Sequence, residues 1–189
     1  MSIRGGGLAL LVLLLAVHPS HGQQLPLFHV KETSVALIHQ AMLAHRLTAR
    51  QLVHCYLDRI AVYDKRGPRI NSPIVVNADA LSAAEEADAA LRRTGTWSGP
   101  LQGLPVIYKD NIDTGDLPTT AGVLALAGSR PAIDAYVVRR LRAAGAIVLA
   151  KANLPDFAAA TFDTVSSELP GYTRLEIDSR RFGGYVRQF

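Results

Sequence analysis

Gly103-Leu104-Pro105-Val106-Ile107-Tyr108-Lys109-Asp110-Asn111 is the stretch on which the reading of this chain turns. An apolar run ends abruptly in a lysine, and a Thr-Thr-Ala-Gly loop, Thr119 to Gly122, follows soon after. Leu104 to Tyr108 is short, apolar and preceded by glycine, the pattern of a buried strand. The lysine at its end is either a charge reaching water, since lysine is rarely buried unless paired, or a chemical group held in place by the strand behind it. In the second case partial desolvation disfavours the ammonium and moves its pKa towards the range of a general base. Asp110 and Asn111 are placed to hydrogen-bond that ammonium or to shape a turn.

Upstream, Ser34 can cap a helix through Ala36, Leu37, Ile38, Met42 and Leu43. Thr48 can cap a second, with Leu52, Val53, Tyr56, Leu57, Ile60 and Tyr63 on its apolar stripe, ended by Gly67-Pro68. Pro73 to Val76 reads as a short strand. Asn77 or Asp79 starts an alanine-rich helix from Ala80 to Arg93, closed by Gly95. Downstream of Lys109, a glycine- and proline-punctuated loop runs from Asp113 to Pro131. Asp134 then caps a helix through Val137, Val138 and Leu141, ending at Gly145. Ala146 to Ala150 is a second buried-type strand, again delivering a lysine, Lys151.

Strands alternating with helices predict an α/β fold, a parallel or mixed β-sheet covered by helices. In such sheets the residues just past the strand C-termini line the functional cleft. Lys109 and Lys151 both stand in that position.

The first residues read as an address. Arg4 supplies a short positive region, Leu8 to Val17 an apolar stretch of signal-peptide length, and Ser20-His21-Gly22 small residues suited to cleavage before Gln23. The run is too short to span a bilayer. The expectation is a signal peptide over 1–22 and an exported chain, periplasmic or secreted, over 23–189, with no membrane partner after cleavage. The formal net charge is +4, but the basic residues are scattered and aromatic residues do not interleave with them, so no nucleic-acid groove is expected. Cys55 is the only cysteine, which excludes an intrachain disulfide. It sits in a helical pattern where cysteine behaves as a small apolar group, and neighbouring His54 points in another direction. All six histidines lie in the first 54 residues, none at metal-ligand spacing on one helix face. No nucleophile elbow, P-loop or dinucleotide-binding glycine motif occurs. Neither a metal nor a cofactor is expected.

Several separated pieces resemble the amidase signature family, serine hydrolases that cut amide bonds with a Ser–Ser–Lys triad. Thr48 to Ile60 is similar to the family's second helix. Gly99 to Asn111 with Thr119 to Gly122 is similar to its lysine segment, and Asp134 to Leu141 with Ala144-Gly145-Ala146 and Lys151-Ala152-Asn153-Leu154 to the helix–strand unit behind it. The resemblance implies that Lys109 is the triad base, whose neutral amine takes a proton from a bridging serine that in turn activates the nucleophile. Backbone N–H groups of a glycine-rich loop then hold the oxyanion. Lys151 is a lysine the family also carries, outside the triad, and reads as structural.

The pattern breaks near the end. Gly183-Gly184 falls where the family has the two glycines before its serines, but Tyr185 occupies the bridging-serine position and Phe189 is the last residue. Ser166, Ser167 and Ser179 do not follow the glycine pair and read as loop serines. Codons permitted for Tyr185 to Phe189 also allow Ser-Ser-Gly-Ser-Ser in the neighbouring frame, so a single-base insertion near codon 185 is the expected origin of the break. The resemblance therefore implies the N-terminal portion of an amidase domain over 23–189, incomplete in its sheet and inactive alone. Its substrate in the intact family is a small-molecule amide. The alternatives are a non-catalytic exported module that binds small molecules, or one half of a split amidase completed by another chain.

Overall fold

The computed structural model describes residues 28–159. The expected signal peptide and the Gly183-Gly184 region lie outside the described residues. Four α-helices and three strands follow one another as α1 (Val35–Leu43), α2 (Ala49–Arg59), β1 (Pro73–Val76), α3 (Ala80–Thr94), β2 (Pro105–Lys109), α4 (Tyr136–Ala143) and β3 (Ile147–Ala152).

The helix starts follow from their caps. Ser34 Oγ accepts the Leu37 N–H at 3.2 Å. At α2 a capping box closes reciprocally: Gln51 N–H donates to Thr48 Oγ1 at 3.0 Å, and Thr48 N–H donates to Gln51 Oε1 at 2.9 Å. The next two donors of that turn, Ala49 and Arg50 N–H, reach the Asp88 carboxylate of α3 at 2.7 and 3.1 Å. A side chain from another helix thus completes the cap and fixes how α2 and α3 cross. Gly95 ends α3 in the left-handed conformation at φ 67°.

Two expectations need correction. The second helix does not run as one α-helix to Tyr63: from Ile60 to Lys65 it widens into a π-turn. In that turn Asp64 is buried, and its Oδ1 accepts from Ser72 N–H and Oγ at 2.6 and 2.7 Å, tying the helix end to the lead-in of β1. Asp134 does not cap α4, whose N-cap is Ala135 without a side-chain bond. Asp134 Oδ1 accepts the Gly115 N–H at 2.8 Å and its Oδ2 pairs with Arg142 Nε at 3.0 Å. Long-range partners outcompete the helix terminus for that carboxylate.

The sheet is mixed, ordered β1-β3-β2, with β3 parallel to β2 and antiparallel to β1. Alternation along β3 divides its side chains between two cores. Ile147 and Leu149 join α1, α2 and α3 through Ile38, Met42, Leu52, Val53 and Ala84. Val148 joins Tyr108, Leu117 and Val138 under α4. Helices therefore cover both faces, as expected of the α/β class. Entry into β2 and β3 is set by close backbone contact: Gly103 N–H donates to Gly145 O at 3.1 Å and Ile147 N–H to Leu104 O at 2.8 Å. Gly145 has φ +92°, and a Cβ there would lie 2.6 Å from Gln102 Cα, so only glycine fits.

Replacing Asp88 with Ala strands buried donors at the start of α2. It is expected to lower the unfolding free energy by about 1–3 kcal/mol, read as a shift of the urea midpoint with an unchanged slope. An unmoved midpoint would show that water serves those N–H groups equally well.

Candidate active site at the strand ends

The C-terminal ends of the two parallel strands lie side by side, with Tyr108 opposite Lys151 and Lys109 opposite Ala152. Alternation sends Val106 and Tyr108 into the core under α4 and puts Ile107 and Lys109 on the other face, where both are exposed. Among the described residues the Lys109 ammonium makes no hydrogen bond or ion pair. Its backbone is held firmly: the Lys109 carbonyl accepts from Ile112 N–H at 3.0 Å, and the N–H of Asp110 donates to Ala152 O at 2.9 Å.

Lys151 is the opposite case. It lies inside β3 rather than past its end, and its side chain is 0% exposed. Its Nζ donates to Thr119 Oγ1 at 2.8 Å and to Pro118 O at 3.1 Å, and stands 3.2 Å from Asp110 Oδ1. Asp110, equally buried, uses its other oxygen to accept the Thr120 N–H at 2.9 Å and the Thr120 hydroxyl. Burial pushes the Lys151 amine below the ordinary lysine value, and the charge and hydrogen bond of Asp110 work against that displacement.

The desolvation expected of Lys109 is therefore found at Lys151. The reason is where Asp110 points: its carboxylate turns to Lys151 and the Thr119-Thr120 loop, leaving Lys109 free to face outward. Sequence reading placed Lys109 correctly on its strand but missed Asp110, Thr119 and Thr120 as a set. Their signal was the acidic residue directly after the lysine and the paired threonines ten residues on.

Tyr108 is buried beside this cluster, and burial pushes its phenol above the usual value of 10.0, with Arg142 opposing. Cys55 is half-buried and, with Arg50, His54 and Tyr63, borders a depression of ≈ 480 Å³ along α2 to which the strand ends contribute nothing. Among the described residues no group of three or more His, Cys, Asp or Glu is placed to hold a metal ion, and no helix is long and apolar enough to cross a membrane.

A mixed sheet under two helical layers is a scaffold that solved amidases share, and comparison with known proteins fixes the family. Residues 51–184 match the Amidase family model, and the chain belongs to that family. It is 44% identical over 133 residues to a probable amidase of Arabidopsis thaliana, covering 69% of this chain and 25% of that protein. It is 40% identical over 149 residues to one subunit of the glutamyl-tRNA(Gln) amidotransferase of Halorhodospira halophila, covering 78% of this chain and 30% of that protein. The solved peptide amidase of Stenotrophomonas maltophilia superposes with a TM-score of 0.69 at 46% identity, over 76% of this chain and 30% of that enzyme. The chain thus spans between a quarter and a third of the length of these relatives.

The two lysines should separate cleanly in thermal and chemical unfolding. Lys109→Ala, on a side chain that is exposed and unbonded among the described residues, is expected to stay within about 0.5 kcal/mol of the parent. Lys151→Ala leaves Asp110 buried and unpaired and is expected to cost about 3–5 kcal/mol. Equal effects would mean that the Lys151 pair carries no special weight. Tyr108 gives a pH signature. A phenol raised by folding supports the fold fully below pH 10 and loses that support as pH rises through the folded value. Tyr108→Phe is therefore expected to lose less stability than the parent as pH rises from about 10, followed by urea midpoints.

Proposed function

We propose that this chain forms the base-bearing part of an enzyme that hydrolyses a carboxylic amide C–N bond through an acyl-serine intermediate, with Lys109 as the general base. The observation that carries the reading is the position of Lys109. It ends β2 inside the segment that matches the Amidase family, on a sheet shared with the peptide amidase of Stenotrophomonas maltophilia. An exposed amine, unbonded among the described residues, is available to a group arriving from elsewhere in the enzyme.

The family chemistry assigns the remaining steps. Neutral Lys109 accepts a proton from a bridging serine, that serine takes the proton of the nucleophilic serine, and the nucleophile attacks the amide carbon. The amine leaves with a proton returned along the same relay, and water releases the acyl group. Backbone N–H donors next to the nucleophile hold the oxyanion. Tyr185 follows the glycine pair Gly183-Gly184 where the family carries its bridging serine, so a polypeptide of these 189 residues holds the base without its relay. The substrate proposed is a small-molecule amide. The apolar run Leu8 to Val17 with Ser20-His21-Gly22 supports export of the protein.

The decisive experiment transplants residues 28–159 into the Stenotrophomonas maltophilia peptide amidase in place of its matching segment. The chimera is expected to turn over a substrate of that amidase, and Lys109→Ala within it to lower kcat by about 10²–10⁴-fold. A chimera whose activity survives that substitution rules out Lys109 as the base. The 189-residue polypeptide alone is expected to show no turnover above its own Lys109→Ala control.

A further inference from the structure

We infer that the buried Lys151–Asp110 pair is a positioning device for the candidate base, strapping the Pro118–Gly122 loop across the strand ends and thereby fixing the backbone from which Lys109 projects. The strap as a structure stands by itself; its link to catalysis rests on the proposed role of Lys109.

Three observations converge on it. First, Asp110 follows Lys109 directly, so whatever immobilises Asp110 immobilises the Lys109 peptide. Asp110 is held through hydrogen bonds from its N–H to Ala152 O, to its carbonyl from Ala121 N–H and to one carboxylate oxygen from Thr120, while the other oxygen stands in the ion pair with Lys151. Second, Lys151 grips the same loop independently, through Pro118 O and Thr119 Oγ1. The two charges therefore hold one loop from two strands. Third, the loop carries strain. Ala121 sits at φ +51°, in the left-handed region that residues with a Cβ adopt reluctantly. Strained backbone persists where the surroundings over-determine it, and it clusters at functional sites. Here the over-determination is visible, because Ala121 N–H donates to Asp110 O while Phe157 N–H donates to Ala121 O.

The Lys109 side chain has no partner among the described residues to steer it. Among the described residues its direction is set by its own rotamers and by the backbone beneath it. A base placed in this way depends on how rigid its root is, since an ångström of misplacement costs roughly 10²-fold in rate. Thr119, Thr120, Asp110 and Lys151 supply that rigidity without touching the reacting atoms, which makes them positioning residues.

Asp110→Leu/Lys151→Met tests the inference, because replacing a buried pair by apolar side chains of similar size often preserves stability. In the 189-residue chain, native-state hydrogen exchange at the Asp110, Thr120 and Ala121 amides is expected to rise roughly tenfold or more. The Asn77 and Ile147 amides, which bond elsewhere on β3 and its neighbours, are expected to keep their protection. Unchanged exchange at Thr120 and Ala121 overturns the strap. If the double variant unfolds as a whole, Thr119→Val, which removes one acceptor from Lys151, is expected to show the same local rise on a smaller scale, and its absence overturns the strap equally. In the chimera, the double variant is expected to lower kcat roughly tenfold or more with little change in KM. An unchanged kcat confines the pair to stability and ends the positioning role. A chimera that ignores Lys109→Ala instead counts against the base, while the exchange data still decide the strap.

Discussion

One ion pair organises the functional end of this molecule. Lys151 and Asp110 are both removed from water, and two charges in that position are tolerated only when their remaining donors and acceptors find partners. Here Thr119, Pro118 and Thr120 complete the set. The pair spans the two parallel strands at the point where their backbone ladder ends, and the loop it recruits closes over both. Without it the last residues of β2 and β3 would be held by backbone bonds and the packing of Tyr108, at the place where a sheet is most prone to fray. Hydrophobic burial shapes the two cores and reaches this end through Tyr108 and Leu117, beside the pair.

Most of the architecture was legible in the sequence because it is specified locally. Ser34 and Thr48 announce their helices, Gln51 completes a capping box within one turn, and Gly95 stops α3 where a left-handed residue is needed. The apolar runs before Lys109 and Lys151 read correctly as strands, and their alternation with helices gave the mixed sheet. What failed was specified at a distance. Asp134 sits where a cap belongs, yet Gly115 and Arg142 claim its carboxylate. The turn from Ile60 to Lys65 widens while Asp64 reaches Ser72. Lys151 looks in sequence like a second Lys109, and only the packed structure reveals that Asp110 belongs to it.

The candidate site divides in the same way. Nothing in the surroundings of Lys109 marks it chemically: it is exposed and unpaired among the described residues, whereas Lys151 has the burial and the lowered amine pKa usually sought in a catalytic lysine. Physical signals alone point to Lys151 and not to the residue proposed as the base. Lys109 is singled out by its place in the family's segment, and its exposure fits a base that meets its partner from outside these residues. On the inference drawn above, Lys151 is a perturbed lysine that acts as a bolt rather than a tool.

The order of the strands carries a consequence for biosynthesis. Among the described residues β3 is the central strand of the three, yet it follows the other two in sequence. As the polypeptide leaves the ribosome, β1 and β2 emerge with no partner to pair with, because neither touches the other in the finished sheet. The helical layer of α1, α2 and α3 can gather early around contacts close in sequence, but the sheet waits until Ile147 to Ala152 has been made. During that interval two short apolar strands stand open to pairing with other chains.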